Sequence, residues 1–258
     1  MQEEVITIQK YAVVNKLTIF QVIKKINAGE LESFKKDGQT FIVIKNRSVE
    51  PKAPQKMRRS ELSIEDKETM LWVLSECEYG TLTLFDDEFP YGVPLNFAWD
   101  DDGVVFHGAL EGKKIELIKK NPKASFCAVK SYSLIPSYFS DTNSACPATQ
   151  HFASVMIRGV VEIINNGESK AKALNLLMQK LQPEKGYETI EYKNPIYTKM
   201  LDKTSVFKLI AQDVGTKINV GQSASTQKRE KIIEKLTQRK TSRDIETLKI
   251  INSLNNQK

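Results

Sequence analysis

The chain has 258 residues, 40% of them hydrophobic and 27% charged, and a formal net charge of +6. That composition fits a globular protein with one large domain or two modest ones. No apolar run approaches the roughly 20 residues that span a bilayer, so no membrane partner is expected. The start, MQEEVITIQKY, lacks the apolar stretch of a signal peptide, and a cytoplasmic location is expected. Two histidines and the three cysteines Cys77, Cys127 and Cys146 show no ligand spacing, which argues against a protein-bound metal. An odd cysteine count in a reducing compartment argues against structural disulfides.

The charge is unevenly placed. Up to Ser60 there are twelve Lys and Arg against six Asp and Glu, and the remainder balances at 26 against 26. An excess confined to the first quarter suggests an anionic partner for that end. There, Thr7 can cap a helix running to about Asn15, with Tyr11, Ala12 and Val14 as apolar contacts. After a short turn, Thr18 caps a second helix with Phe20, Val22, Ile23 and Ile26 apolar and Gly29 as its stop. LESFKKDGQTFIVIK reads as a hairpin around Asp37-Gly38. Helix, turn, helix and hairpin wing make a helix-turn-helix unit over residues 1–47. From about Val5 to Lys45 the pattern resembles the excisionase-like, MerR-like winged helix family. The stretch from Asn46 to Ser60, with two prolines and no periodicity, reads as a linker, placed at 48–60.

Past the linker, Ser63 with Asp66 three residues on is a variant capping box for a helix whose apolar face is Met70, Leu71, Val73 and Leu74. Short strands follow: GTLTLFD, PYGVPLNFAWD and GVVFHGA. A helix beginning GKKIELIKK comes next, then the strands KASFCAVK and SVMIRGVVEII. ESKAKALNLLMQKLQ is an amphipathic helix, TSVFKLIAQDVGTKINV a further strand region, and the tail after residue 222 two polar helices. Many strands with few interrupting helices predict a mainly β fold, a β-barrel with peripheral helices over 61–222 followed by a helical tail at 223–258, and not a doubly wound sheet.

Lys113 and Lys114 open a helix, where the positive end of the dipole disfavours cations. Either both are solvated lysines, or an anion belongs between them and the free N–H groups of the helix start. The preceding GALEG is small and turn-prone, so backbone can approach a ligand closely.

The segments YGTLTL, YGVPLNFAWD, GVVFHGALEGKKIELIKKNPKASFCAV and ACPATQHFASVMIRGVVEI, in this order, resemble the flavin-binding split-barrel family related to pyridoxamine 5′-phosphate oxidase, in its nitroimidazole-reductase-like branch. The resemblance runs from about Met57 to Ile164. It implies a homodimer with FMN in a cleft between subunits. By resemblance, Lys113 and Lys114 contact the flavin phosphate, and His107 and Gly108 stand beside the ring, His107 stacking or carrying a proton near neutral pH. Val93, Pro94 and Asn96 run along the isoalloxazine edge, whose pyrimidine side needs donors and acceptors together. Ser154 bonds the ribityl chain or phosphate, and Arg158 is a second phosphate cation unless strand alternation turns it to solvent. His151 has no motif around it and reads as a surface residue. The dense set of Arg and Lys that the vitamin phosphate requires is missing, so the resemblance does not extend to that substrate. Cys127 and Cys146 fit no nucleophile pattern.

Two functions are compatible on one chain. One is an FMN-dependent oxidoreductase passing electrons from NADH or NADPH to a nitro-aromatic, quinone or flavin. The other is a transcription regulator whose barrel senses flavin and whose first domain binds double-stranded DNA. There Lys24, Lys25, Lys35 and Lys36 would meet phosphates and Gln21 a base edge, although the second helix carries no arginine. A third reading keeps the barrel and exchanges the ligand for haem, with His107 or His151 as ligand, or for a deazaflavin.

Overall fold

The computed structural model describes residues 4–14, 17–36, 38–44, 62–140 and 144–255. The expected linker at 48–60 lies outside them. The chain divides into two compact units, Met1–Gln55 and Lys56–Lys258.

The first unit holds a strand β1 (Glu4–Thr7), helices α1 (Ile8–Val14) and α2 (Ile19–Asn27), and a hairpin of β2 (Ser33–Lys36) and β3 (Gln39–Ile44). The hairpin is antiparallel, and β1 joins it in the order β1-β3-β2. The β1 strand is not among the predicted elements. Thr7 accepts a bond from the Lys10 N–H at 3.3 Å. Thr18 and Gln21 form a full capping box. Gly29 and Gly38, at φ +73° and +75°, supply the left-handed backbone that ends α2 and turns the hairpin. Ile8, Ala12, Val22 and Ile42 make a small core, with Leu17 and Ile26 against it. Of the four apolar residues of the second helix, Phe20 and Ile23 are exposed, Phe20 by 77%. Val22 and Ile26, four residues apart on one face, take the core position.

The second unit is a mainly β half-barrel sheet with helices. Its helix α3 (Lys67–Glu76) is capped by Asp66, which accepts from the Glu68 and Thr69 N–H groups. Ser63, the expected cap, lies instead in a two-residue strand β4 (Ser63–Ile64). Asp66 wins because its carboxylate stands one residue before the first helical position, where it reaches the free N–H groups. The strands are β5 (Gly80–Leu84), β6 (Tyr91–Leu95), β7 (Ala98–Asp100), β8 (Gly103–Gly108), β9 (Lys123–Ile135), β10 (Thr149–Ile164) and β11 (Ser205–Asn219). They pair antiparallel in the order β6-β5-β9-β10-β11-β8-β7, with β4 on the far half of β11. Along β10, His151, Ala153, Val155, Ile157, Gly159 and Val161 are buried while their neighbours are not, the period of two of a one-faced strand. The β10–β11 register shifts between Arg158 and Gly159. A side chain at Gly159 would put its Cβ 1.8 Å from the Ile210 carbonyl oxygen, so only glycine lets these backbones close up.

Beside α3 the described residues of the unit form five α-helices: α4 (Lys113–Lys120), α5 (Gly167–Leu181), α6 (Pro195–Asp202), which is not among the predicted elements, and the tail pair α7 (Thr226–Arg239) and α8 (Ser242–Asn255). The tail pair is part of the main core, to which it gives Ile232, Leu236, Ile250 and Ile251. A buried network pins it. Asp244 accepts from Ser133 Oγ at 2.5 Å and from Arg239 at 2.7 and 2.9 Å, while Arg239 also donates to the Leu134 carbonyl and Thr247 Oγ1 accepts from the Ser133 N–H. With Arg239, Ser133 and Thr241 all donating to it, the Asp244 carboxyl is held far below the usual carboxylate range. None of the described helices is long and apolar enough to cross a membrane.

Candidate functional site

The two lysines of the α4 start have different surroundings. Gly112, at φ +113°, precedes the helix and offers no side-chain cap, so the first N–H groups of α4 lack one. Lys113 reaches across to Asp86, just after β5, with Nζ 2.5 Å from the carboxylate, and lies over the Tyr91 ring at 5.1 Å. Asp86 raises the Lys113 pKa and is itself lowered by that lysine. Further along the helix Lys120 pairs with Asp87. The loop between β5 and β6 is thus tied twice to α4.

Lys114 is half-buried. Its Nζ donates to the His107 carbonyl at 3.0 Å. It lies 5.6 and 5.4 Å from the centroids of Phe106 and Phe207, two rings stacked 5.2 Å apart. Among the described residues no carboxylate is within ion-pair distance of it, and burial pushes its pKa down. A Cβ at Gly108 would come within 2.4 Å of this Nζ, so the glycine makes room for the ammonium. His107 is the penultimate residue of β8 and is exposed as a residue, while its imidazole lies partly against the protein beside Lys114. Its imidazole is held below its usual range, first by desolvation and then by the Lys114 charge, which favours the neutral form.

His107, Gly108, Lys113 and Lys114 therefore share one corner of the sheet, and the structure adds Asp86 and Tyr91 to them. Asp86 sits in FDDEF, which by itself reads only as a turn. Its partnership needs the packing of α4 beside the β5–β6 loop, which no local pattern announces. Val93, Pro94 and Asn96 occupy or follow β6, the edge of the sheet order, where a proline costs no ladder bond. Pro94 and Asn96 are exposed, and the Asn96 amide donates to the Glu78 carbonyl at 3.4 Å. Ser154 is half-buried in mid-β10, opposite Val129 and Lys217. Phe207, which lies under Lys114, pairs with Ile163, and Ser154 stands nine residues, roughly 30 Å of strand, from Ile163 along β10, apart from the Lys114 corner. Arg158 is exposed and donates through Nε to Asp213 at 2.8 Å, so its charge is already answered. It lines a groove of about 480 Å³ whose other wall is the loop carrying Phe85, Asp86, Phe89 and Pro90.

His151 is a correction. It is 1% exposed rather than a surface residue, a side chain at Gly221 would bring its Cβ within 3.5 Å of the His151 Nε2, and the His151 Nδ1 has no partner among the described residues. Of the two histidines only His107 is open to a ligand. Cys77 is buried, Cys127 half-buried and Cys146 exposed, all as free thiols. The described residues hold no group of three or more His, Cys, Asp or Glu suited to a metal ion.

In the first unit, Lys24, Lys35 and Lys36 are exposed. Lys25 pairs with Glu30 at 2.7 Å. The Gln21 side chain accepts from the Thr18 N–H at 2.8 Å, so its oxygen serves the helix cap.

The model of the family described as pyridoxamine 5′-phosphate oxidase matches residues 66–217, more than half of the chain, and the chain belongs to that family. None of the curated proteins matches it. Among solved structures it is similar to a protein assigned to 5-nitroimidazole antibiotic resistance from Bacteroides thetaiotaomicron, with 23% identity, 61% of this chain and 86% of that one covered, and a TM-score of 0.50. The flavocytochrome Anf3 from Azotobacter vinelandii gives 22% identity over 63% and 72%, with a TM-score of 0.53. The FAD and heme binding protein from Mycobacterium smegmatis gives 18% over 61% and 73%, with a TM-score of 0.50. At these identities the likeness is one of fold.

Proposed function

We propose that the protein is an FMN-dependent oxidoreductase, working as a homodimer, that passes electrons from NADH or NADPH to a small organic acceptor such as a nitro-aromatic, a quinone or free flavin. One observation carries the reading. Lys114 is a half-buried ammonium with no carboxylate partner in reach among the described residues, beside a helix start with no side-chain cap. An uncompensated cation next to free N–H groups is a site for a phosphate. Gly108 and Gly112 keep the approach free of side chains, so the residues present fit the phosphate end of a flavin nucleotide. Family membership, and relatives of this fold named for flavin, support the choice of ligand.

The residues then divide the work. Lys114 and the α4 N–H groups hold the phosphate, and Lys113 joins them when it leaves Asp86. The β6 edge offers peptide groups and the Asn96 amide to the ring. His107, neutral and exposed, is placed to hold or pass a proton. Ser154 lies too far along β10 to serve the Lys114 corner of its own chain, which supports a cleft completed by a second copy. FMN, when bound, supplies the hydride and electron chemistry. The test is to purify the full chain without added cofactor and record its visible spectrum. NADH and NADPH oxidation with each acceptor class is then assayed after FMN loading. Flavin bands and turnover are expected. A Soret band would move the protein to the haem reading, with His107 as ligand, and a colourless protein that refuses FMN would overturn the proposal.

A second reading rests on Lys24, Lys35 and Lys36, exposed cations that meet no carboxylate among the described residues. It has the first unit bind double-stranded DNA, two copies per dimer on two half-sites, with the barrel sensing flavin. Affinity for the chain's own upstream DNA, compared with random DNA across a salt series, tests it. Equal affinity at every salt would remove it.

A further inference from the structure

A cavity of about 700 Å³ in the second unit lies away from the Lys114 corner. It opens between α3 and α8 over a floor of Tyr132 and Ile218. Its volume is that of a small-molecule site. Its α8 wall lies beyond residue 217, where the family match ends. The buried Asp244 network holds that wall in place.

The lining is acidic in a chain of net charge +6. Glu68, Glu76 and Glu246 face one cation, Lys249. Asp66 also lines the cavity, but its carboxylate is committed to capping α3. Glu246 lies 3.3 Å from Lys130. Glu68 and Glu76 meet no cation among the described residues. Trp72, 38% exposed, stands on the wall and offers an aromatic surface. Tyr132 as a residue is 2% exposed and lines the cavity floor, and its hydroxyl is not among the fully enclosed unpartnered atoms, so that oxygen opens on the cavity. A phenol held in an otherwise buried residue, with its hydroxyl open to the cavity, takes its hydrogen-bond partner from the cavity side. Burial and then the charges of Glu76 and Glu246 push that phenol's pKa up, so both carboxylates act on the same spot.

An anion would meet uncompensated carboxylates here, and a neutral apolar molecule would leave them stranded. A cation gains the carboxylates and the ring face together. We propose that the cavity between α3 and α8 binds a small organic cation with an aromatic or apolar body, its charged end near Glu76 and Glu246 and its body against Trp72.

The chain has two tryptophans, and only Trp72 lines the cavity, so intrinsic fluorescence reports on it. Full-length protein is titrated with phenethylamine, 2-phenylethanol and phenylacetate, by fluorescence and by calorimetry. Saturable binding of the amine is expected, with the alcohol weaker and phenylacetate undetected. Glu76→Gln with Glu246→Gln should weaken the amine about tenfold, the order for losing two partly exposed charge partners. Lys249→Glu should tighten it, and Trp72→Phe should abolish the fluorescence change while heat of binding persists. Equal binding of phenylacetate, no saturable signal up to millimolar amine, or no response to Lys249→Glu in a folded variant would each overturn the proposal.

Discussion

The His151 imidazole gives a prediction that can be worked through in numbers. It is buried at the start of β10 with an unpartnered Nδ1, and desolvation pushes its pKa down to about 4. In the unfolded chain a histidine titrates near 6.5. The folded value is the lower one, so the stabilisation is complete above about pH 6.5 and is lost as pH falls through about 4. At about 1.4 kcal/mol per pH unit, the full gap is worth about 3 kcal/mol. For a unit of about two hundred residues, that is roughly 6–12 °C in Tm. The perturbation is His151→Phe, which keeps a ring in the space and removes both the titration and the orphan nitrogen. Thermal unfolding of wild type and variant is followed from pH 7.5 to pH 4. The variant should match or slightly exceed wild type at pH 7.5 and lead it increasingly below pH 6. Parallel Tm curves over the whole range would refute the reasoning, since carboxylate protonation is common to both proteins.

Three further outcomes follow from other parts of the fold. Gly159→Ala would drive a Cβ into the Ile210 carbonyl and should cost about 1–3 kcal/mol or more in denaturant unfolding; an unchanged midpoint would contradict the close approach. Asp244→Ala strands Arg239 and Ser133 in the buried network and should cost about 3–5 kcal/mol, with tail amides losing hydrogen-exchange protection before the sheet does. His107→Gln should lower turnover with NADH while leaving FMN affinity within a few fold, measured by steady-state kinetics and flavin titration.

The extent to which the sequence was legible differs by element. Caps and turns were readable where one residue type serves one local purpose, as with Thr18, Gly29 and the hairpin turn at Gly38, whereas Gln21, read as a reader of base edges, completes the Thr18 capping box. The alternation in SVMIRGVVEII marked β10 because one face is buried and the other is not. The Ser63 cap failed because two good capping residues stood three apart, and the pairing of Ser63 with Lys217 on β11 is a long-range event. The tail was read as polar because its helices bury a narrow stripe, Ile232, Leu236, Ile250 and Ile251, and fix themselves through Asp244, whose partner Ser133 is 111 residues away. At the site, GALEGKK suggested a turn open to an anion, and the resemblance supplied the expectation of a flavin phosphate there. The difference between the two lysines was not legible. It comes from Asp86 answering Lys113, while Lys114 is left over two phenylalanine rings.

The most direct test of the phosphate at Lys114 is a titration of flavin-free protein with FMN and with riboflavin, by flavin fluorescence, on wild type and Lys114→Met. A charge-assisted contact to phosphate is worth about 1.5–3 kcal/mol. Wild type should therefore bind FMN at least about tenfold more tightly than riboflavin, and Lys114→Met should erase most of that margin while leaving riboflavin affinity unchanged. Equal affinity for the two flavins in wild type, or a margin that survives Lys114→Met, would contradict the account.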